Sequence, residues 1–351
     1  MRVKIIIFLA VSFAVSGCAM FHTSSGKIGP LDPEGKLSLG PPVTHSNLTL
    51  FPIIARESED SVDYMTLDEG MDKKLVEITE KKSAQVSELS IHNKSDRPIY
   101  LLGGEIIVGG KQDRIVAQNT IIPPKAKMPL KSFCVERGRW SAIARRTAGA
   151  HEIPPDSSQL AQPKFKSLKA LSKTKQRYSA QIKKDQSANW AEVSRTNASF
   201  ATFTASETLS AVYDSKDVDK KSKPYMDALK AELGKSRNLV GFVVVINGEV
   251  QSCDIFRSPK LFGKLRDKLL NSYVIEALTS GKPVEKEVTE AEVLDWLAEI
   301  KEKSESKVLT EASDSYGKRK IVETASPSAV GIESYYKCLK VHENYFKKKK
   351  K

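Results

Sequence analysis

The chain has 351 residues, 40% of them hydrophobic and 28% charged, with a formal net charge of +13. That length and apolar share exclude a wholly disordered or fibrous chain and allow a substantial buried core. Beyond the N-terminal segment no apolar run approaches the ~20 residues of a membrane-spanning helix, which excludes a multi-span membrane protein.

Met1-Arg2-Val3-Lys4 is a short basic start, and Ile5–Val15 is an apolar stretch too short to span a bilayer comfortably. Val15-Ser16-Gly17 then places small residues before Cys18, which resembles a bacterial lipoprotein signal. The resemblance implies that residues 1–17 are removed and that Cys18 is acylated as the mature N-terminus. An ordinary secretory signal with an incidental cysteine is the competing reading. Ala19, rather than Asp, implies release to an outer membrane, facing the periplasm, where the host has one. Residues 18–47 are rich in Gly, Pro and Ser without hydrophobic period, so a tether is expected.

From Leu48 to about Glu136 the chain reads as antiparallel β, with strands expected at Leu48–Ile54, Lys74–Thr79, Gln85–Ile91 and Ile99–Leu102. Glu105–Val108, Arg114–Ala117, Thr120–Ile122 and Met128–Val135 continue the pattern. Ser141–Gln162 has no period and reads as a long loop. Lys166–Thr204 suggests one or two amphipathic helices, and Pro224–Leu233 another, with Pro near its start. Asn247-Gly248, flanked by Leu239–Ile246 and Glu249–Phe256, is the strongest hairpin signal, since Asn-Gly suits a type I′ turn.

Ser258-Pro259 opens a helix over Lys260–Leu278 with one apolar stripe, and Thr289 with Glu292 forms a capping box for a helix at Ala291–Ile300. Ser304–Lys320 reads as a charged linker before closing strands at Ile321–Val322 and Ser334–His342. The expected architecture is α+β, an antiparallel β sandwich packed by several amphipathic helices. It occupies residues 48–346 as one domain, β-rich over 48–140 and helical and mixed over 141–346. Lys347–Lys351 form a basic tail; a solvated end is the simpler reading, with anionic lipid as the alternative.

Chemistry-bearing residues concentrate in one stretch, Gly103–Trp140. Glycine pairs Gly103-Gly104 and Gly109-Gly110 set tight corners around Glu105–Val108, followed by Lys111-Gln112-Asp113-Arg114. Glu105, Asp113 and Glu136 are candidates for general acid or base work, tunable by a cation such as Lys111. Lys111, Gln112, Arg114, Arg139 and Trp140 are candidate ligand contacts, the arginines as carboxylate or phosphate forks and Trp140 as a stacking face. The same residues fit a set of salt bridges closing the ends of a sandwich.

A Cys134–His151 pair rests only on proximity in the chain. Beyond Cys18, the thiols Cys134, Cys253 and Cys338 are odd in number, so at least one is unpaired. The five histidines are scattered, and neither Cys-x-x-Cys nor a zinc pattern occurs, so no metal is expected. Export and the lack of an aromatic-plus-basic motif make nucleic-acid binding unexpected.

GGE at Gly103, GGKQDR at Gly109, CVE at Cys134, GRW at Gly138, NWAEV at Asn189 and GFVVVINGEVQSCDIFRSPKLF at Gly241 together carry a resemblance. They are similar to the domain family named for association with ADP-ribosylglycohydrolases and rhodanese/phosphatase proteins. The resemblance implies one integrated domain and a role around ADP-ribose or NAD-derived metabolites, without a defined reaction or cofactor.

Three functions follow as expectations. The first is an envelope-anchored lipoprotein that binds a small anionic ligand, nucleotide- or ADP-ribose-like. The second is a hydrolase or transferase on a phosphorylated or ADP-ribosyl substrate, which requires Glu105, Asp113 and Glu136 to converge. The third is a structural or partner-binding envelope protein, which requires those charges to be paired and buried.

Overall fold

The computed structural model describes residues 35–57, 60–81, 87–138, 163–284, 286–301, 308–313, 317–324 and 329–348. Cys18, Arg139, Trp140 and His151, and with them the expected signal, anchor and Cys–His pair, lie outside the described residues.

The architecture is α+β, as expected, with sheets and helices packed together. The largest sheet runs β1 (Leu37–Leu39), β3 (Leu48–Ala55), β13 (Leu239–Ile246), β14 (Glu249–Phe256), β18 (Leu339–Lys347), β17 (Ala329–Tyr336), β16 (Gly317–Glu323), β15 (Val308–Ser313). β2 (Val43–His45) pairs with β3 off this path. A second sheet runs β12 (Lys166–Leu171), β8 (Glu105–Val108), β9 (Arg114–Val116), β11 (Lys127–Cys134), β6 (Glu88–Asn93), β5 (Val76–Glu80). The third, β10 (Thr120–Ile122), β7 (Ile99–Leu101), β4 (Met65–Thr66), holds the one parallel pairing among the described residues, β4 with β7. Because β3 pairs with β13, the β-rich and mixed halves of the chain share one sheet.

The helices are α1 (Leu67–Asp72), α2 (Thr174–Tyr178), α3 (Gln186–Phe200), α4 (Ser210–Tyr213), α5 (Lys216–Leu233), α6 (Pro259–Leu278) and α7 (Glu290–Lys301). α2 runs straight into a π turn at Ser179–Lys183. One face of the large sheet is covered by α6 and by residues of the smaller sheets, with Phe242, Phe256, Phe262, Leu269, Tyr100 and Leu102 in a single core. α7 covers the other face through Val293, Leu297 and Ile300 against Phe51, Val243 and Val245. Burying each such side chain is worth roughly 1.5–3 kcal/mol, so the fold is held chiefly by these two apolar layers.

Local rules explain the elements read correctly. Ser258 accepts from the amide of Leu261 at 3.0 Å and Pro259 opens α6, whose apolar stripe faces the core. Asn247 and Gly248 take positive φ (52° and 68°) between paired Ile246 and Glu249. Thr289 and Glu292 form their reciprocal cap, at 3.2 Å and 2.8 Å.

Four expectations are corrected. Leu37–Leu39 and Val43–His45, read as tether, are strands laid on β3. Lys166–Leu171, read as the start of a helix, is a strand bulged between Ser167 and Leu171, with Lys169 at φ 55°. α5 begins at Lys216 under a Ser215 cap and carries Pro224 inside it, so the proline does not mark its start. Finally, the linker read at Ser304–Lys320 contains β15 and the start of β16, and the strand read at Ser334–His342 is interrupted by a turn. Lys337 and Cys338 make that turn at φ 47° and 66°, between paired Tyr336 and Leu339, without the Asn or Gly that signals one.

Candidate functional site

The glycine-bracketed stretch folds as the β8–β9 hairpin against α2 and α6. Gly104 adopts φ +102°, and a Cβ there would lie 2.7 Å from Arg177 Cγ and 2.7 Å from Ser172 Oγ. The glycine is therefore required by close approach as well as by backbone conformation.

Glu105 is fully buried, accepts the amide of Leu102 at 3.0 Å and pairs with Lys268 of α6. Lys268 Nζ also lies 2.8 Å from Asp68 Oδ2 of α1. Burial raises the pKa of Glu105 above the ordinary carboxylate range despite the neighbouring ammonium. Burial alone would lower that of Lys268, and the two carboxylates raise it instead.

Asp113 is engaged differently. Its Oδ2 accepts hydrogen bonds from Thr208 Oγ1 (2.7 Å) and Ser210 Oγ (2.9 Å), and its Oδ1 from the amide of Gly109 (3.1 Å). Its own amide donates to Glu136 Oε2 at 2.8 Å. Glu136 and Asp113 therefore tie β11 to the hairpin and to the chain before α4, where Glu136 bridges Thr208. The chain turns at Gly110-Lys111 and bends at Gln112 before β9. Here the Lys111 amide (3.0 Å) and Arg114 Nη2 (3.2 Å) both reach the carboxylate of Glu80, and Gln112 is buried.

The structure thus brings Asp113 together with Glu136, and Lys111 with Arg114, but leaves Glu105 apart. In register, Ile106 faces Ile115 and Ile107 faces Arg114, so Glu105 and Asp113 occupy opposite ends of the hairpin. At 3.3–3.4 Å per residue that separation is about 10 Å. Each acid is held by its own internal donors, and Glu105 does not join Asp113 and Glu136 as the hydrolase or transferase reading requires. Cys134 is buried, donates to the Glu136 carbonyl at 2.9 Å and has its pKa raised by burial, the opposite of an activated thiol.

A polar centre that the sequence reading missed lies between the large sheet and α2. Asp254 on β14 is fully buried and accepts both guanidinium nitrogens of Arg177, at 2.8 Å and 3.2 Å. Tyr273 Oη (2.7 Å), Asn344 Nδ2 (2.8 Å) and His342 Nε2 (3.0 Å) complete its shell. Burial would raise its pKa, yet Arg177 and His342 hold it well below the usual range.

His342 Nδ1 lies 2.8 Å from the Tyr100 hydroxyl and 3.2 Å from Asn119 Nδ2. An amide NH₂ can only donate and a carboxylate can only accept, so His342 is neutral with its proton on Nε2. Burial lowers its pKa, in keeping with that tautomer. The available signal was an Asp inside the apolar run Cys253-Asp254-Ile255-Phe256, where burial demands partners.

A third feature stands on β16. Arg319 is only 7% exposed, and its Nε and Nη1 donate no hydrogen bond. Among the described residues it forms no salt bridge, and burial pulls its pKa down to about 10. Lys184, at the end of the π turn, has its pKa lowered by burial and then by the positive charges of Arg319 and Lys131. A buried guanidinium with an ammonium group near it is costly, and is suited to holding an anion.

These features define an α+β protein with a buried, ion-paired polar centre and a buried arginine that forms no salt bridge among the described residues. The chain belongs to the ARG and rhodanese-phosphatase-superfamily-associated protein domain family, whose model matches residues 36–344. No curated protein matches the chain, and no solved structure does. The family match begins where β1 does, within the segment read as tether.

Proposed function

We propose that this chain is an envelope-anchored lipoprotein whose folded part binds a small anionic ligand, nucleotide- or ADP-ribose-like in character. The observation that carries the binding reading is Arg319, buried on β16 with two donors unused, and near it Lys184, which also feels the charge of Lys131. Buried charge without a salt-bridge partner among the described residues costs stability, and a bound anion would supply the counter-charge. The predicted acids support no rival reading of equal strength. Asp113 and Glu136 are bound by backbone and hydroxyl donors within the fold, as a structural role requires.

The test is thermal melting of the full chain against ADP-ribose, NAD, sugar phosphates and inorganic phosphate. A ligand at a hundred times its dissociation constant adds about 2.7 kcal/mol, a rise of several degrees at this size. The rise is expected to vanish in Arg319→Gln; no rise with any anion removes the reading.

Anchoring rests on the N-terminal pattern ending at Cys18. Metabolic labelling with palmitate is expected to mark the wild-type chain and not Cys18→Ser. Equal labelling of both overturns it.

A further inference from the structure

Arg319 lies opposite Ser334 of β17, and Ser334 lies opposite His342 of β18. Residues directly opposite across a ladder share a face, so Arg319 projects from the face that carries the polar centre. Ile321, two residues on, is on that face too and packs with Ile332 and Phe346 beneath Tyr178 and Ile182. The π turn therefore runs over β16 and β17 and delivers Lys184, in the left-handed conformation at φ 53°, beside Arg319. Gln186 then clasps Cys134 of β11, through bonds of 2.9 Å and 2.8 Å. Lys131 sits three residues earlier on that strand. Three elements, each from a different part of the chain, thus bring one cation apiece to a common edge.

Building on the anion-binding reading, we propose that Arg319, Lys184 and Lys131 form a dianion site. It takes the terminal phosphoryl group of a phosphomonoester, or free phosphate, in preference to a carboxylate or a phosphodiester. The reason is charge. A dianion gains roughly twice a monoanion's attraction to the buried guanidinium and to the two exposed ammonium groups around it, even with Glu88 opposite Lys131. The guanidinium offers a planar fork that suits phosphoryl oxygens, and the ammonium groups act as point charges on the same ligand. Because the cations come from β11, the π turn and β16, an anion held by all three also ties the six-stranded sheet and the helical layer to the large sheet.

Calorimetric titration of the full chain at pH 7.5 with methyl phosphate, dimethyl phosphate, inorganic phosphate, sulfate and acetate tests this. Methyl phosphate is close to a dianion at that pH, since its second ionisation lies near pH ~6, whereas dimethyl phosphate is a monoanion of similar shape. Methyl phosphate and inorganic phosphate are expected to bind about tenfold more tightly than dimethyl phosphate or acetate. Sulfate is expected to side with the dianions. Lys184→Gln, at an exposed position that leaves the core untouched, is expected to shrink that gap, and Arg319→Gln to abolish binding. Equal affinity for methyl and dimethyl phosphate, or a gap unchanged in Lys184→Gln, overturns the dianion site and leaves the broader reading standing. Binding of none of the five anions overturns both.

Discussion

Arg177 and Arg319 are both buried arginines beneath the same layer of the molecule, and they are solved in opposite ways. Arg177 is fully buried, yet meets Asp254 through two hydrogen bonds and lies 5.7 Å from the ring of Phe346. Burial would lower its pKa, and Asp254 raises it instead. Arg319 has the burial without the carboxylate, and its pKa falls. A protein core can hold a guanidinium at little net cost when the partner is built in. Where no carboxylate partner stands among the described residues, the cost of burial is left standing, and the proposed anion would relieve it.

The largest expected effect comes from breaking the built-in pair. Arg177→Met leaves Asp254 buried against His342 without its main cation, a loss of roughly 3–5 kcal/mol in urea unfolding. Asp113→Ala is expected to cost about 3 kcal/mol in the same assay, since three donors lose a buried charged acceptor. An unchanged midpoint there would return Asp113 to the list of functional acids. Arg319→Met removes an uncompensated charge, and in anion-free buffer it is expected to change stability by no more than about 1 kcal/mol. Equal losses for Arg177→Met and Arg319→Met would erase the contrast.

Two of the fully buried carboxylates, Asp254 and Glu105, sharpen it further through pH. Asp254 has a depressed folded pKa, so its contribution is present above the unfolded value and lost as pH falls through the range below it. His342, also depressed, loses its contribution as pH falls below its unfolded value of about 6.5. Glu105 is raised, so its contribution is present below the unfolded value and lost as pH rises through the folded one. Unfolding at pH ~2.5 and 7.5, on either side of the unfolded carboxylate value of roughly 3.9, is expected to show opposite trends in two variants. Glu105→Gln gains on wild type as pH rises, and Asp254→Asn falls further behind. Parallel trends would mean that Lys268 neutralises Glu105 as fully as Arg177 does Asp254.

Legibility in the sequence followed the range of the interactions. Local chemistry was readable: the Asn247-Gly248 turn, the Ser258-Pro259 start of α6 and the Thr289 cap rest on residues within four positions. Lys337-Cys338 was not, because a positive-φ turn there uses residues that carry no such signal. Lys166–Leu171 was misread because its bulge breaks the strict alternation that marks a strand. In the central stretch the glycine pairs and acids fall where Gly104, Glu105 and Asp113 are buried and specifically held. Its partners, Lys268 and Thr208, lie far along the chain, and so do Arg177 and His342 for Asp254. Only the fold brings such pairs together, and the charged run holding Arg319 read simply as linker.

The most direct measurement is the melting temperature of the full chain as inorganic phosphate is raised, in wild type and in Arg319→Gln. A saturable rise of a few degrees is expected in wild type and a flat line in the variant. The same rise in both proteins would contradict it, because the stabilising anion would then bind somewhere other than the Arg319 cradle.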